Sequence, residues 1–288
     1  MEADGVFEGG GVKGIGLVGA LKRAEEEQVI FKRVAGTSVG AIVASLYAAG
    51  YSADELNELL YSTDFKEFLD TKLPKRVGLR YFMIILSILL NYGIHSGKYF
   101  YKWITEKLEK KGVLKFKDLK LPLKIVTSDI TNKRMLVFDS ELHREMQVAK
   151  AVRMSMSIPL FFYVSRWRDA EFPQAETLVV DGGLLSNYPI NIFDDHERPT
   201  IGFKLISLEE TQPPEPITNI LSYIKSILDT MMLAHEKIHV EEANWARTIP
   251  IPTGNIKATQ FDLTDKEKDW LYKSGYEAAD KFFKKQVK

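Results

Sequence analysis

The sequence predicts an α/β fold built on a mostly parallel central sheet with helical crossovers. Three observations carry that expectation. An apolar strand-like run, a glycine-rich loop and a helix follow one another twice within the first fifty residues, which is the signature of parallel strands joined by crossovers. Further strand-length apolar runs return at 121–130, 134–140, 176–183 and 200–207. Finally, 288 residues of which 45% are hydrophobic suffice for one large buried core.

Residues 4–8 read as a short buried strand, and 14–27 as a helix with Ile15, Leu17, Val18, Leu21 and Ala24 at helical spacing. A second strand spans 29–35. It runs into Gly36-Thr37-Ser38-Val39-Gly40 and a helix over 41–50 that Gly50 closes. Residues 53–70 read as helical, with Ser52 to Glu55 as cap and first turn. A basic Pro/Gly connector follows over 71–80, then an apolar run over 81–92 and a helix near 97–111. The strands at 121–130 and 134–140 are joined by the turn Thr131-Asn132-Lys133. Residues 141–155 read as a helix. Residues 176–183 read as a strand ending in a glycine turn, and 200–207 as a late strand. Beyond the Pro-rich loop 211–216, residues 217–246 and 264–286 read as helical. One domain is expected, with a core over 4–207 and a mainly helical part over 208–288.

Whole-chain properties exclude several classes. There are 39 basic and 39 acidic residues, so no net charge argues for a nucleic-acid partner. There is no cysteine, hence no disulfide, thiolate metal site or cysteine nucleophile. Met1 is followed directly by Glu2, Ala3 and Asp4, without the basic and apolar regions of a signal peptide. The most apolar run, 81–94, is shorter than the roughly 18–20 residues that span a bilayer. A soluble, cytoplasmic protein is the expectation.

Gly36-Thr37-Ser38-Val39-Gly40 fits G-x-S-x-G between a strand and a helix, where a tight turn lifts a serine hydroxyl to the helix N-terminus. The competing reading is a plain Gly/Ser turn with Ser38 as helix N-cap. The five histidines are His95, His143, His196, His235 and His239. None sits in a short post-strand loop near the chain end, where a Ser-Asp-His hydrolase would place its base. Asp181, at the end of the Leu178-Val179-Val180 strand and ahead of Gly182-Gly183, is the other candidate base. Alternatively it only caps the glycine turn. The loop Gly9-Gly10-Gly11-Val12-Lys13-Gly14 fits the dinucleotide fingerprint G-x-G-x-x-G. It fails the Walker pattern, because Lys13 is followed by Gly14, and the second strand ends without an acidic residue for a ribose.

Together, Glu8-Gly9-Gly10-Gly11-Val12-Lys13-Gly14, Gly36-Thr37-Ser38-Val39-Gly40 and Asp181-Gly182-Gly183 resemble the patatin-like phospholipases. The segments 126–131 and 155–162, with Asn187 and Pro189, extend the resemblance over residues 4–207. It implies a three-layer α/β sandwich with helices on both faces of the sheet. It also implies lipid acyl-ester hydrolysis through an acyl-enzyme. Ser38 would be the nucleophile, Asp181 the base, and the N–H groups of Gly9, Gly10 and Gly11 the oxyanion hole, with no metal or cofactor. Lys13, Gly14, Gly36, Gly40 and Gly182 would support the loop and the elbow. Glu8 stands where the family commonly has Asp, and Lys13 where Arg is frequent. Lysine cannot make arginine's planar bidentate contact, so Lys13 is expected to structure the loop or sit near anionic headgroups. An acyltransferase sharing the acyl-enzyme, a nucleotide-binding protein and a non-catalytic lipid-binding module are the alternatives.

A lipid substrate implies contact with a membrane, and residues 72–92 are the candidate. Lys72, Lys75, Arg76 and Arg80 precede the apolar run there. That run is apolar nearly all round, which favours a buried helix over the active site.

Overall fold

In the computed structural model, residues 1–168, 176–195, 197–207 and 242–286 are described, together with a few positions between 216 and 230. The buried run Ala3–Phe7 forms β1 (Glu2–Phe7), and the chain then turns through three glycines into α1 (Ile15–Glu26). β2 (Ile30–Thr37) pairs parallel to β1, and α2 (Val39–Ala48) follows with only Ser38 between strand and helix. Gly50, at φ 99°, ends that helix. α3 (Ala53–Ser62) begins at a capping box in which Ser52 and Glu55 bond reciprocally. Among the described residues the other helices of eight or more residues are α4 (Val77–Asn91), α5 (Lys98–Lys110), α6 (Val148–Ser155) and α7 (Asp265–Gln286).

The remaining strands among the described residues are β3 (Gly93–His95), β4 (Leu123–Asp129), β5 (Arg134–Asp139), β6 (Leu160–Phe162), β7 (Ser165–Arg168), β8 (Glu176–Asp181), β9 (Thr200–Ile206) and β10 (Thr248–Pro252). The main sheet runs β10-β9-β1-β2-β4-β8-β7, with β5 along the other edge of β4. β10, β9, β1, β2 and β4 are mutually parallel, so the sheet is mostly parallel and helices flank it. β3 and β6 form a separate parallel pair.

Several local expectations change. The helix expected over 53–70 stops at Ser62. Lys268 Nζ donates to the carbonyls of Tyr61 (2.7 Å) and Thr63 (3.2 Å), so a tertiary partner satisfies the helix end. The helix expected over 141–155 begins only at Val148. The Asp139 carboxylate takes the N–H groups of Glu141 and Leu142 and holds that stretch in a turn. The connector 71–80 gives way to α4 at Val77. β10 adds a strand to those read from the sequence, despite Pro250 and Pro252. It lies at the sheet edge, where a missing N–H is tolerated. The helix expected over 217–246 falls mostly outside the described residues, as do His196, His235 and His239.

One correction and one feature of the sheet bear on function. The buried helix favoured for 81–92 is instead largely exposed: of the apolar residues in α4 only Ile84 is buried, while Leu89 and Leu90 are 70% and 67% exposed. β8 runs opposite to the parallel strands of the sheet, and its carboxyl end still reaches the end of β2. It pairs antiparallel to β4. β2 occupies one edge of β4 as far as Val126, and β8 takes over that edge from Thr127. The two strands run toward each other along one rail and stop at neighbouring residues.

Candidate active site

That convergence positions the site. Ser38 follows the last residue of β2, Asp181 is the last residue of β8, and Ser38 Oγ donates to Asp181 Oδ2 at 2.7 Å. Both residues are buried. Ser38 has φ 53° and ψ −124°, a costly conformation for a residue with a side chain. The elbow is held by Ala41 N–H donating to Ser38 O at 2.9 Å, and by Ser38 N–H donating to Ser155 Oγ at 2.8 Å. Ser38 occupies the N-cap position of α2, but its side chain makes no cap bond to the helix and turns to Asp181 instead. Gly36 and Gly40 permit the tight turn: a Cβ on Gly36 would lie 2.2 Å from Gly40 O, and one on Gly40 would lie 2.2 Å from Phe7 O.

The Asp181 carboxyl serves two partners. Oδ1 accepts Gly183 N–H at 2.7 Å and Oδ2 accepts the serine hydroxyl. The turn-capping role weighed against a reactive one is therefore present as well, on the other oxygen. Burial away from water pushes this carboxyl up to about 7, against the pull of those two bonds. The chain turns at Gly182 into a short 3-10 helix, Gly182–Leu184.

The glycine loop faces Ser38. A Cβ built on Gly9 would lie 3.2 Å from Ser38 Cβ and 2.2 Å from Asn187 Oδ1. Gly9 N–H donates to Asn187 O at 3.0 Å, and Asn187 Nδ2 donates to Gly9 O at 3.2 Å. Of the three N–H groups expected to point at an oxyanion, that of Gly9 is thus already engaged. Among the described residues those of Gly10 and Gly11 have no acceptor. Gly11 has φ 57°, and its missing Cβ would meet Ala258 O at 2.0 Å. Gly14 closes the loop and opens α1.

Two buried charges anchor the loop from below. Glu8 is fully buried, accepting from Lys204 Nζ at 2.7 Å and from Leu205 N–H. Lys13 is 1% exposed and donates to Ser207 Oγ at 3.0 Å.

A model of the patatin-like phospholipase family matches residues 5–194. The chain belongs to the patatin-like phospholipase family. It is 38% identical to the uncharacterized protein YqhO of Bacillus subtilis, with 99% of each chain covered. It is 29% identical to mouse patatin-like phospholipase domain-containing protein 6, over 65% of this chain and 12% of that one. Among solved structures it resembles VipD from Legionella pneumophila, with a TM-score of 0.63 and 17% identity over 99% of this chain and 67% of that one. It also resembles the type III effector ExoU, with a TM-score of 0.54 and 16% identity over 99% of this chain and 53% of that one. At those identities the likeness concerns the fold, a mixed α/β patatin-like architecture with a central sheet flanked by helices.

In this patatin-like site, several supporting residues carry no motif of their own. Ser155 Oγ accepts the Ser38 N–H and donates to Val126 O at 2.6 Å. Met156 Sδ lies 3.6 Å from Ser38 Oγ. Ser157 O accepts the Asp181 N–H at 2.9 Å. Arg153 binds Ser157 Oγ at 2.6 Å, Ser96 O at 2.9 Å and Tyr163 O at 3.2 Å, and burial lowers its guanidinium to about 10. The stretch 155–162 stood out in the sequence only as a small-residue segment with a proline and aromatics. Nothing in its spacing marked which atom would meet Ser38.

Proposed function

We propose that the chain is a serine acyl-ester hydrolase acting on lipids, of phospholipase A or lysophospholipase type. The observation that carries the reading is the buried 2.7 Å hydrogen bond from Ser38 Oγ to Asp181 Oδ2. Family membership supports the lipid class of substrate.

Asp181 is the base. A desolvated carboxylate that titrates near neutrality takes a hydroxyl proton more readily than one in water. It accepts the Ser38 proton as Oγ attacks the ester carbonyl. The oxygen of the tetrahedral intermediate takes its charge beside the Gly10 and Gly11 N–H groups, at the entrance to a helical segment. The carbon–oxygen bond to the alcohol breaks, and Asp181 returns the proton to that alcohol. Water then gives a proton to Asp181 as it attacks the acyl-serine, and the proton returns to Ser38 Oγ as the fatty acid departs.

Ser38→Ala and Asp181→Asn are each expected to lower hydrolysis of p-nitrophenyl butyrate by ~10³-fold or more. In the wild type, kcat/KM rises with pH to a plateau, with its midpoint near 7 where Asp181 ionises. Full activity in either variant would overturn the pair. A pH profile flat between 5 and 9 would remove Asp181 as the base.

A further inference from the structure

We propose that α4 is the surface on which this protein docks onto anionic lipid, lying in the plane of the interface. The helix meets the rest of the protein along one narrow stripe. Ile84 is buried, while Tyr81, Ser87, Ile88 and Asn91 are half-buried at the same helical spacing. Most of the remaining surface is apolar and open to solvent: Val77, Leu79, Phe82, Met83, Ile85, Leu86, Leu89 and Leu90 are all exposed. Scattered exposed leucines are ordinary, but a contiguous apolar helix face marks an interaction site.

Charge selects the partner. Lys72, Lys75, Arg76 and Arg80 crowd the N-terminal end of α4, and no acidic residue occurs anywhere from 71 to 105. An apolar body with a basic end suits a surface that is both apolar and negatively charged, as anionic lipid is. A second copy of α4 would offer the basic end no acidic complement. The helix has 15 residues, about 22 Å at 1.5 Å per residue, and no helix among the described residues is long and apolar enough to cross a membrane. It therefore lies in the interface. Tyr92, half exposed just past the helix end, suits the headgroup level.

The mounting of α4 links this surface to the Ser38–Asp181 pair. Ser87 Oγ donates to Gly93 O at 2.8 Å, and Val164 N–H donates to Asn91 O at 3.3 Å. Gly93 and His95 pair with Leu160 and Phe162 of β6. A few residues upstream, the same segment presents Met156 to Ser38 and Ser157 to Asp181. The docking helix is thus tied, through β3 and its pairing with β6, to the segment that walls the site. The inference deepens the hydrolase reading by naming where substrate is met, but docking itself needs no reaction at Ser38.

The test is flotation of the full chain carrying Ser38→Ala with vesicles of phosphatidylcholine alone and with 30% phosphatidylglycerol. Binding is expected to the anionic vesicles, at least tenfold weaker to the neutral ones and weaker at high salt. Adding Phe82→Ser, Leu86→Ser and Leu90→Ser, all exposed positions, is expected to cut binding at least tenfold. In a chain with Ser38 intact, the same three changes leave hydrolysis of p-nitrophenyl butyrate unchanged. Vesicle binding unaffected by the three serines overturns the inference, as does no binding to either vesicle. A wild type that is dimeric in solution, fails to bind vesicles and becomes monomeric with the serines shows a second copy as the occupant instead. Binding without any esterase activity would leave the docking surface standing and remove only the hydrolase reading.

Discussion

At Asp181, function and stability pull in opposite directions. Its carboxyl titrates near 7 in the folded protein against 3.8 in an unfolded chain. Between those values the folded state keeps a proton that the unfolded state has released. Stability therefore falls as pH rises from about 4 to 7 and stays lower above that. Roughly three pK units correspond to a cost on the order of 4 kcal/mol. Asp181→Asn removes the charge and is expected to resist urea better than wild type at pH 8, with the advantage vanishing near pH 4. Parallel unfolding curves at both pH values would show that the carboxyl is not held in a dry site. At this scale the sequence was informative where chemistry needs a particular side chain in a particular turn: Ser38 and Asp181 carry motifs. Ser155 and Ser157 do not, because one supplies a side-chain hydroxyl and the other a backbone carbonyl, and neither need leaves a pattern in the surrounding sequence. Likewise, engagement of the Gly9 N–H depends on Asn187, 178 positions away, which no local pattern reveals.

Among the elements, the first crossover units were legible because strand, glycine loop and helix leave distinct periodicities. β8 reads equally well as a parallel or an antiparallel strand, since direction depends on its partner and β4 is distant in sequence. α4 shows how composition can mislead. A helix apolar all round usually indicates a core, yet here only one stripe is covered. The end of β1 joins β9 through the buried Glu8–Lys204 pair, with side chains 0% and 4% exposed. Lys204→Met takes the ammonium away from a carboxylate that water cannot reach. It is expected to cost about 3–5 kcal/mol in urea unfolding, with much of the loss restored when Glu8→Gln is added. A loss below 1 kcal/mol for the single change would mean that the pair does not anchor the loop.

At the scale of the whole molecule, the described end of the chain packs against the helix that follows the glycine loop. α7 packs against α1 backbone to backbone: a Cβ on Gly275 would lie 1.9 Å from Gly16 O, and one on Gly19 would lie 2.0 Å from Tyr272 O. Ala258 O accepts Val12 N–H at 3.0 Å, tying the glycine loop to the same region. Gly275→Leu is expected to push the helices apart, costing about 1–3 kcal/mol in denaturant unfolding. Labelling of Ser38 by a fluorophosphonate should weaken with it. An unchanged midpoint would mean that the helix contact is dispensable. The sequence showed α7 as a helix but gave no sign of its docking partner, because two glycines facing each other across the fold leave no periodic trace.

The shared edge of β4 has a consequence for the life of the chain. Ser38 and Asp181 stand 143 positions apart, and they meet only once β8 has filled the edge that β2 vacates. On the hydrolase reading, a chain still emerging from the ribosome carries its nucleophile early and its base late. Until the sheet is complete it holds an inert hydroxyl, and lipid near the site of synthesis is exposed to no half-made enzyme.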